Sequence, residues 1–429
     1  MLTWRLSKYF VKERAMPQYL SPGVYVEEVP SAVKAIAGVS TSIPGFIGIV
    51  PDKIHLVAKN PTTPGSTKFV DFAPPPAKIA KLITNWTQFT KFFGDLIGDE
   101  TKAATADANP AIDPGHQHLA HAVYGFFNNG GSSCYVVRIV DNTQLDDALK
   151  AFAAIDPISL VAIPGNTDDA IRDKVVAHCQ ATGDRFAILD GPETAADLTT
   201  LTKIPAESGV MPKRTDLAAW YFPWIKVFDP ATKLQNPSGD GSLFVPPSGH
   251  LAGVYARVDN ERGVFKAPAN EVIFGAQDVS QPLSKADQDN LNPKGVNCIR
   301  VLNGKILVWG ARTVGGDDNA DLKYINVRRT LLFLRESIDE GTQWVVFEPN
   351  TPALWQQITR NVSAFLTNVW RSGALFGNTP QEAFYVKCDA ENNPPELREL
   401  GQVVTEIGVA IVRPAEFVIF RISQMAQTS

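Results

Sequence analysis

Residues 118–189 alternate between a helical and a strand-like hydrophobic pattern, and this alternation constrains the fold more than any other feature of the chain. The helical segments are 118–127, 145–154 and 168–182, and the strand segments are 134–140, 159–163 and 185–189. Strands that alternate with helices at this spacing predict β-α-β units and a largely parallel sheet. An aromatic-rich segment at 220–228 adds a further predicted strand.

The last quarter of the chain has a different pattern, without this regular alternation. A predicted helix at 322–340 is followed by one that starts at Pro352, with Thr351 as its N-cap, and stops at Gly373. The predicted strands here are 344–347, 384–388, 403–412 and 416–422. These elements predict a compact α+β module, and the Gly- and Asp-rich segment 315–321 predicts a flexible boundary before it.

The predicted fold class is therefore α/β and α+β, in a multidomain chain with extended terminal arms. The expected divisions are an N-terminal extension and arm at 1–30, an α/β domain at 31–320, the α+β module at 321–412 and a C-terminal arm strand at 413–429. Six prolines within 51–76 predict a surface excursion in the region 51–114. Asn303-Gly304 predicts a hairpin between strands at 297–302 and 305–309.

Both ends of the chain carry short β-prone runs next to prolines, at positions where chains usually fray. The residues are Val24, Tyr25, Val26 and Glu27 near the start, and Phe417, Val418, Ile419, Phe420, Arg421 and Ile422 near the end. The C-terminal run is apolar on nearly both faces. Such a strand needs a partner edge, either in its own chain or in a neighbouring one.

Composition excludes several classes of protein. The chain has 429 residues, of which 44% are apolar, so several domains are expected. A net charge of −5 argues against a nucleic-acid binder, and no apolar run is long enough to predict a membrane span. Four widely spaced cysteines indicate reduced thiols in a cytoplasmic product. The basic segment 1–15 is either an extension of the reading frame before Met16 or an amphipathic surface helix that carries Trp4 and Phe10.

Three candidate chemical sites are each better explained as structure. His116, His118 and His121 are three of the six histidines, but no nearby cysteine or glutamate completes a metal site. Segment 163–168 leads from a strand into a helix, where Asp168 predicts capping and would repel a phosphate. Asp190 follows a strand without a second catalytic group. The chain carries no recognised nucleophile, phosphate-loop or zinc motif, so we predict no enzyme, no cofactor and no metal.

Several segments together resemble the tail sheath family of contractile phage tails and phage-tail-like injection systems. These segments are 20–28, 125–138, 184–190, 266–270, 308–313, 326–329, 343–350 and 414–417. The resemblance covers nearly all of 18–422, except for the Pro-rich region 51–76. The length of the chain is closer to an extracellular injection system than to a large phage sheath.

The resemblance implies a subunit that polymerises in six-fold, helically stacked rings around an inner tube. Such a sheath shortens from a metastable extended state when a baseplate triggers it, and terminal arms complete the sheets of neighbouring subunits. The implied partners are further copies of the chain, the tube protein, and baseplate and terminal cap proteins. The particle would be assembled in the cytoplasm of the producing cell, with release as an option. The basic residues expected to face an acidic tube are Lys323, Arg328, Arg329 and Arg335.

Two other classes of function stay open at the level of sequence. One is an α/β enzyme with a pocket near Asp190 at the carboxyl ends of its strands. The other is a non-contractile oligomer whose subunits exchange their terminal strands.

Overall fold

The computed structural model describes residues 35–59 and 68–419, so the predictions for 1–30 and 420–422 lie outside the described residues. The strands are β1 (Pro44–Ile49), β2 (Ile54–Val57), β3 (Phe69–Phe72), β4 (Lys81–Ile83), β5 (Cys134–Ile139), β6 (Leu160–Ala162), β7 (Phe186–Asp190), β8 (Ala218–Phe222), β9 (Ile225–Phe228), β10 (Ser242–Val245), β11 (Glu271–Val272), β12 (Ala276–Val279), β13 (Val296–Leu302), β14 (Lys305–Val308), β15 (Phe384–Lys387) and β16 (Glu406–Val409). The helices are α1 (Trp86–Phe93), α2 (Pro114–Asn128), α3 (Leu145–Ala153), α4 (Asp169–Thr182), α5 (Pro230–Gln235), α6 (Ser248–Glu261), α7 (Lys285–Leu291), α8 (Ile325–Thr342), α9 (Pro352–Arg371), α10 (Pro380–Ala383) and α11 (Pro395–Glu399).

A nine-stranded sheet forms the centre of the described chain. Its strand order is β11-β14-β13-β8-β7-β6-β1-β5-β4. The six strands from β13 to β5 run parallel to their neighbours, whereas β4, β14 and β11 join the two edges in antiparallel orientation. Every residue of β7 and β8 is buried, as expected for strands covered on both faces. The predicted α/β fold class is confirmed.

Local signals in the sequence set the ends of several helices. Asp168 accepts hydrogen bonds from the backbone N–H groups of Ala170 and Ile171 at the start of α4, as predicted. Gly183 then ends α4 with φ of 74°, a left-handed conformation that suits glycine. The side chain of Thr351 caps α9 as predicted.

The described residues contain no helix with the length and apolar character needed to cross a membrane.

Of the three hydrophobic clusters among the described residues, two are large. The larger one lies between the central sheet and its helices. The smaller one joins α8 and α9 to β15 and β16, with Trp355 and Phe365 among its buried members. The predicted hairpin is also present, because Asn303 and Gly304 have φ of 51° and 73° between β13 and β14.

The structure corrects the prediction for the Pro-rich segment. Strands β2 and β3 pair in antiparallel orientation, and Ile54, Val57 and Val70 are each 1% exposed. The surface excursion predicted from the prolines is therefore wrong for these strands, because their apolar side chains join the interior.

Two other local predictions are also wrong. The strand predicted at 344–347 is a short 3-10 turn, Gln343–Val345, that continues from α8. The flexible break predicted at 315–321 is largely the 3-10 helix Gly316–Leu322, where the Asn319 amide donates to the backbone oxygen of Val314 at 2.7 Å.

Candidate assembly surfaces

The C-terminal module contains a sheet that is too small to be stable alone. Strands β15 and β16 pair from Phe384↔Val409 to Lys387↔Glu406 and have no further strand among the described residues. One face packs against the smaller hydrophobic cluster, whereas Tyr385 on the other face is 53% exposed. A sheet of two strands is marginal in water and leaves backbone groups along its edges for another strand.

The described part of the C-terminal arm presents apolar side chains to solvent. Phe417, Val418 and Ile419 are 71%, 68% and 77% exposed. Residues 416–419 form no strand with other described residues, so the predicted strand is not present there. An apolar, extended run of this kind gains its stability from pairing with another edge.

Arg329 is not a tube-facing residue, contrary to the expectation from sequence. Its side chain is 3% exposed and bonds the Asp259 carboxylate through two nitrogens, at 3.0 and 2.6 Å. A second bond from Nη2 reaches the backbone oxygen of Thr41 at 2.8 Å, and the guanidinium lies over the Tyr255 ring. The pKa of Arg329 is raised, because Asp259 outweighs the burial that by itself would lower it.

The other three basic residues of this region are engaged with the subunit itself. Lys323 lies 3.1 Å from Asp317, and Arg328 lies 3.2 Å from Asp216. Arg335 donates to the backbone oxygen of Gly183 at 3.2 Å. The helix α8 that carries most of this set is buried along much of its length, so it presents no continuous basic face.

The three histidines of α2 do not converge on one point. His121 Nε2 lies 3.2 Å from the Asp229 carboxylate, and the His118 ring meets Trp224 edge to face. Burial lowers the pKa of both His116 and His118 to about 4, so both are neutral near pH 7. Their arrangement fits the structural interpretation made from the sequence.

One other group of possible metal ligands is found in the described residues, and sequence reasoning did not identify it. His55 lies 2.9 Å from both Asp71 and Asp107, near the strand pair β2–β3. However, the Lys53 ammonium lies 2.7 Å from Asp107 and 3.8 Å from Asp71. A lysine therefore already supplies the positive charge that a cation would bring.

Asp190 performs a structural task. Its carboxylate accepts hydrogen bonds from the backbone N–H of Gly165 at 3.0 Å and from the N–H and hydroxyl of Ser248 at 2.8 and 2.6 Å. Burial raises its pKa to about 6. These contacts join the turn after β6 to the N-terminus of α6. A cavity of about 250 Å³ between Val39, Phe186 and Leu332 is not lined by Asp190.

Sequence reasoning missed two features of the surface. Phe347 is fully exposed at φ of 68°, in a turn closed by the bond from Glu348 N–H to Val345 oxygen. The Pro349 that follows was the available signal for a turn. Glu416 is tied to Arg312, an ion pair between residues 104 positions apart that no local pattern indicates.

Two family models match the chain. The phage tail sheath protein central domain matches residues 140–314, and the phage tail sheath C-terminal domain matches residues 317–425. A tail sheath protein of Burkholderia phage BcepMu is 28% identical over 46% of this chain and 40% of its own length. A putative prophage major tail sheath protein of Pseudomonas aeruginosa is 26% identical over 71% of this chain and 72% of its own length.

Solved structures extend the similarity along most of the chain. The sheath complex of an extracellular contractile injection system, PVC, in its contracted state has a TM-score of 0.70 and 27% identity, over 95% of this chain and 99% of that one. The contracted helical sheath of the anti-feeding prophage has a TM-score of 0.67 and 28% identity, over 94% and 99%. On this evidence the chain belongs to the tail sheath protein family of contractile phage tails and phage-tail-like contractile injection systems.

Proposed function

We propose that copies of this chain polymerise helically around an inner tube, in six-fold rings, and contract from a metastable extended state to drive that tube into a target envelope. The similarity to two sheaths solved in the contracted state, each covered over 99% of its length, is the observation that carries this proposal. The partners are further copies of the chain, a tube protein, a baseplate and a terminal cap. Assembly takes place in the cytoplasm of the producing cell.

Subunits in this proposal are linked by exchange of their terminal strands. The open two-stranded sheet β15–β16 supplies edges, and residues 24–27 and 417–422 supply strands. The exposed side chains of Phe417 and Ile419 would be covered when the arm pairs with a neighbour. Strand exchange would therefore both extend the two-stranded sheet and cover the apolar side chains of the arm.

The free energies of arm pairing and arm ordering favour cooperative assembly. An arm of about six residues adds about four to six backbone hydrogen bonds, each with a net stabilisation of roughly 0.5–1.5 kcal/mol. Ordering the same residues costs about 1–2 kcal/mol per residue. One arm is therefore close to break-even, and two arms engaged together gain from effective concentration. Contraction then needs no nucleotide, because repacking of subunit interfaces releases work stored in the extended lattice.

Two further assignments belong to this proposal. Residues 31–320 and 321–412 are two modules in this proposal, and most members of the second hydrophobic cluster come from the second module. Contact with the tube involves Lys323, Arg328 and Arg335, while Arg329 is left out because it is buried.

Electron microscopy of the purified chain tests the function. We expect tubular polymers or stacked rings, whereas discrete small particles would contradict a sheath. A chain that ends at Glu416 should remain folded but should not polymerise, because it lacks the arm strand. A matched control that ends at Ser423 keeps the arm and should polymerise normally. Removal of residues 1–29 tests the other arm in the same way, and normal polymers from either arm deletion would refute strand exchange.

A further inference from the structure

The Glu416 carboxylate is held by four hydrogen-bond donors from the body of the subunit. Its Oε1 accepts from Arg312 Nε at 2.9 Å and from Asn292 Nδ2 at 2.6 Å. Its Oε2 accepts from Arg312 Nη2 and from the Tyr324 hydroxyl, both at 2.9 Å. The side chain is only 19% exposed, although Phe417 next to it is 71% exposed. Glu416 is thus the fixed residue directly before the apolar arm.

Arg312, which provides two of the four donors, is also held by contacts that do not involve Glu416. Arg312 is 3% exposed, and its backbone N–H and oxygen both bond the side-chain amide of Asn297 at 2.7 Å. Its Nη1 also lies 3.0 Å from Asp317. Burial by itself would raise the pKa of Glu416, but the hydrogen bonds from Arg312, Asn292 and Tyr324 outweigh it and lower that pKa. The carboxylate therefore stays charged at neutral pH and meets a preorganised, bidentate partner.

We infer that Glu416 is a positioning residue for strand exchange, whose carboxylate fixes the root of the C-terminal arm so that residues 417–422 leave the subunit at one defined place. The inference rests on the proposed function, because it concerns how the arm reaches a neighbour. A fixed root narrows the volume that the arm searches and so raises its effective concentration at the neighbouring edge. Force applied to the arm would also be transmitted through these hydrogen bonds to Arg312 and Asn292, which lie beside the central sheet.

A nearby ion pair offers a matched control. Arg413 lies 2.8 Å from Asp321, three residues before Glu416, but the two side chains are 57% and 87% exposed. Exposed pairs of this kind contribute little. Asp321→Asn removes one charge close to the arm root without touching the four donors, whereas Glu416→Gln removes the charge that they hold.

Two measurements on the full chain test the inference. Hydrogen exchange of the Glu416 amide, which donates to the backbone oxygen of Pro414 at 3.1 Å, is measured below the concentration at which polymers form. It should be at least about tenfold faster in Glu416→Gln, because that variant loses the charge-assisted hydrogen bonds that hold the residue in place. The subunit concentration needed for polymers, followed by sedimentation and electron microscopy, should rise by about the same factor. Tyr324→Phe, which removes one donor, should shift both measurements less. Asp321→Asn should match the unsubstituted chain in both, and circular dichroism at 25 °C should show that all variants are folded.

The outcomes separate this inference from the proposed function. If the unsubstituted chain forms no polymers, the proposed function fails and the inference falls with it. If that chain polymerises but Glu416→Gln exchanges at the original rate, the carboxylate does not fix the arm root. Faster exchange with an unchanged polymerisation threshold would also overturn the positioning role, as would an equal shift in Asp321→Asn.

Discussion

Replacing Arg329 by alanine should destabilise the subunit rather than detach it from a tube. Arg329 and Asp259 are 3% and 4% exposed, and the substitution leaves the Asp259 carboxylate in the interior with the Thr41 hydroxyl, at 2.6 Å, as its remaining partner. Removal of one member of a buried ion pair costs about 3–5 kcal/mol. Against a total stability of about 5–15 kcal/mol for a typical domain, this loss is severe.

The neighbouring arginine provides the comparison. Arg328 and Asp216 are 20% and 31% exposed, so Arg328→Ala should cost about 1 kcal/mol or less. Replacing Arg329 and Asp259 together by leucine should cost less than Arg329→Ala, because no charge is then left buried. Urea unfolding followed by tryptophan fluorescence checks all three, at a concentration too low for polymers, since assembly would add its own stability.

Equal unfolding midpoints for Arg329→Ala and Arg328→Ala would refute the reasoning. That result would mean that water or a rearranged side chain satisfies Asp259 in the variant. A charge reversal at both arginines is for the same reason a poor test of tube contact, because it combines a surface change with a core defect. Lys323 and Arg335 are better positions, since both are more exposed.

Further predictions concern helix α2 and the residues packed against it. Acid should destabilise the subunit, because burial lowers the pKa of His116 to about 4 and that of His250 to about 3. A depressed histidine pKa means that the unfolded chain binds a proton first, so stability is full above pH 6.5 and falls as the pH drops from 6.5 to the folded pKa. For His116, whose folded pKa is about 4, the complete loss is roughly 3 kcal/mol. Urea unfolding at pH 7 and pH 4.5 should show a smaller loss for His116→Gln, and an equal loss would contradict this. Gly125→Ala would place a Cβ 2.3 Å from His250 Nδ1 and should cost about 1–3 kcal/mol in the same assay; an unchanged midpoint would contradict it.

The sequence predicted those parts of the fold that depend on local signals. The parallel sheet follows from the alternation of strands and helices, and the starts of α4 and α9 follow from Asp168 and Thr351. The pairing of β2 with β3 was missed, because the two apolar runs are separated by a stretch that contains prolines. Pairing across a loop depends on the rest of the core and not on the composition between the strands.

The candidate assembly surfaces were less accessible to sequence reasoning. The apolar arm could be identified from its own residues, because alternation along a strand is local. The burial of Arg329 could not, since it depends on Asp259, 70 residues earlier in the chain. The same holds for Glu416, whose donors Asn292, Arg312 and Tyr324 come from three separate segments. A charged side chain is assigned to the surface or to the interior by partners that the local sequence does not reveal.

The contrast between the two parts of the C-terminal arm has a mechanical consequence in the proposed lattice. The pairing strand is close to break-even, so a single arm can bind and release an edge at little cost. The root is different, because Glu416 is bound by charge-assisted hydrogen bonds to the buried Arg312. Under load the strand should therefore give way before the root does. If the strand pairing between subunits breaks first, the strand can pair again in a new geometry. If the Glu416 hydrogen bonds broke first, the arm would no longer leave the subunit at a defined position.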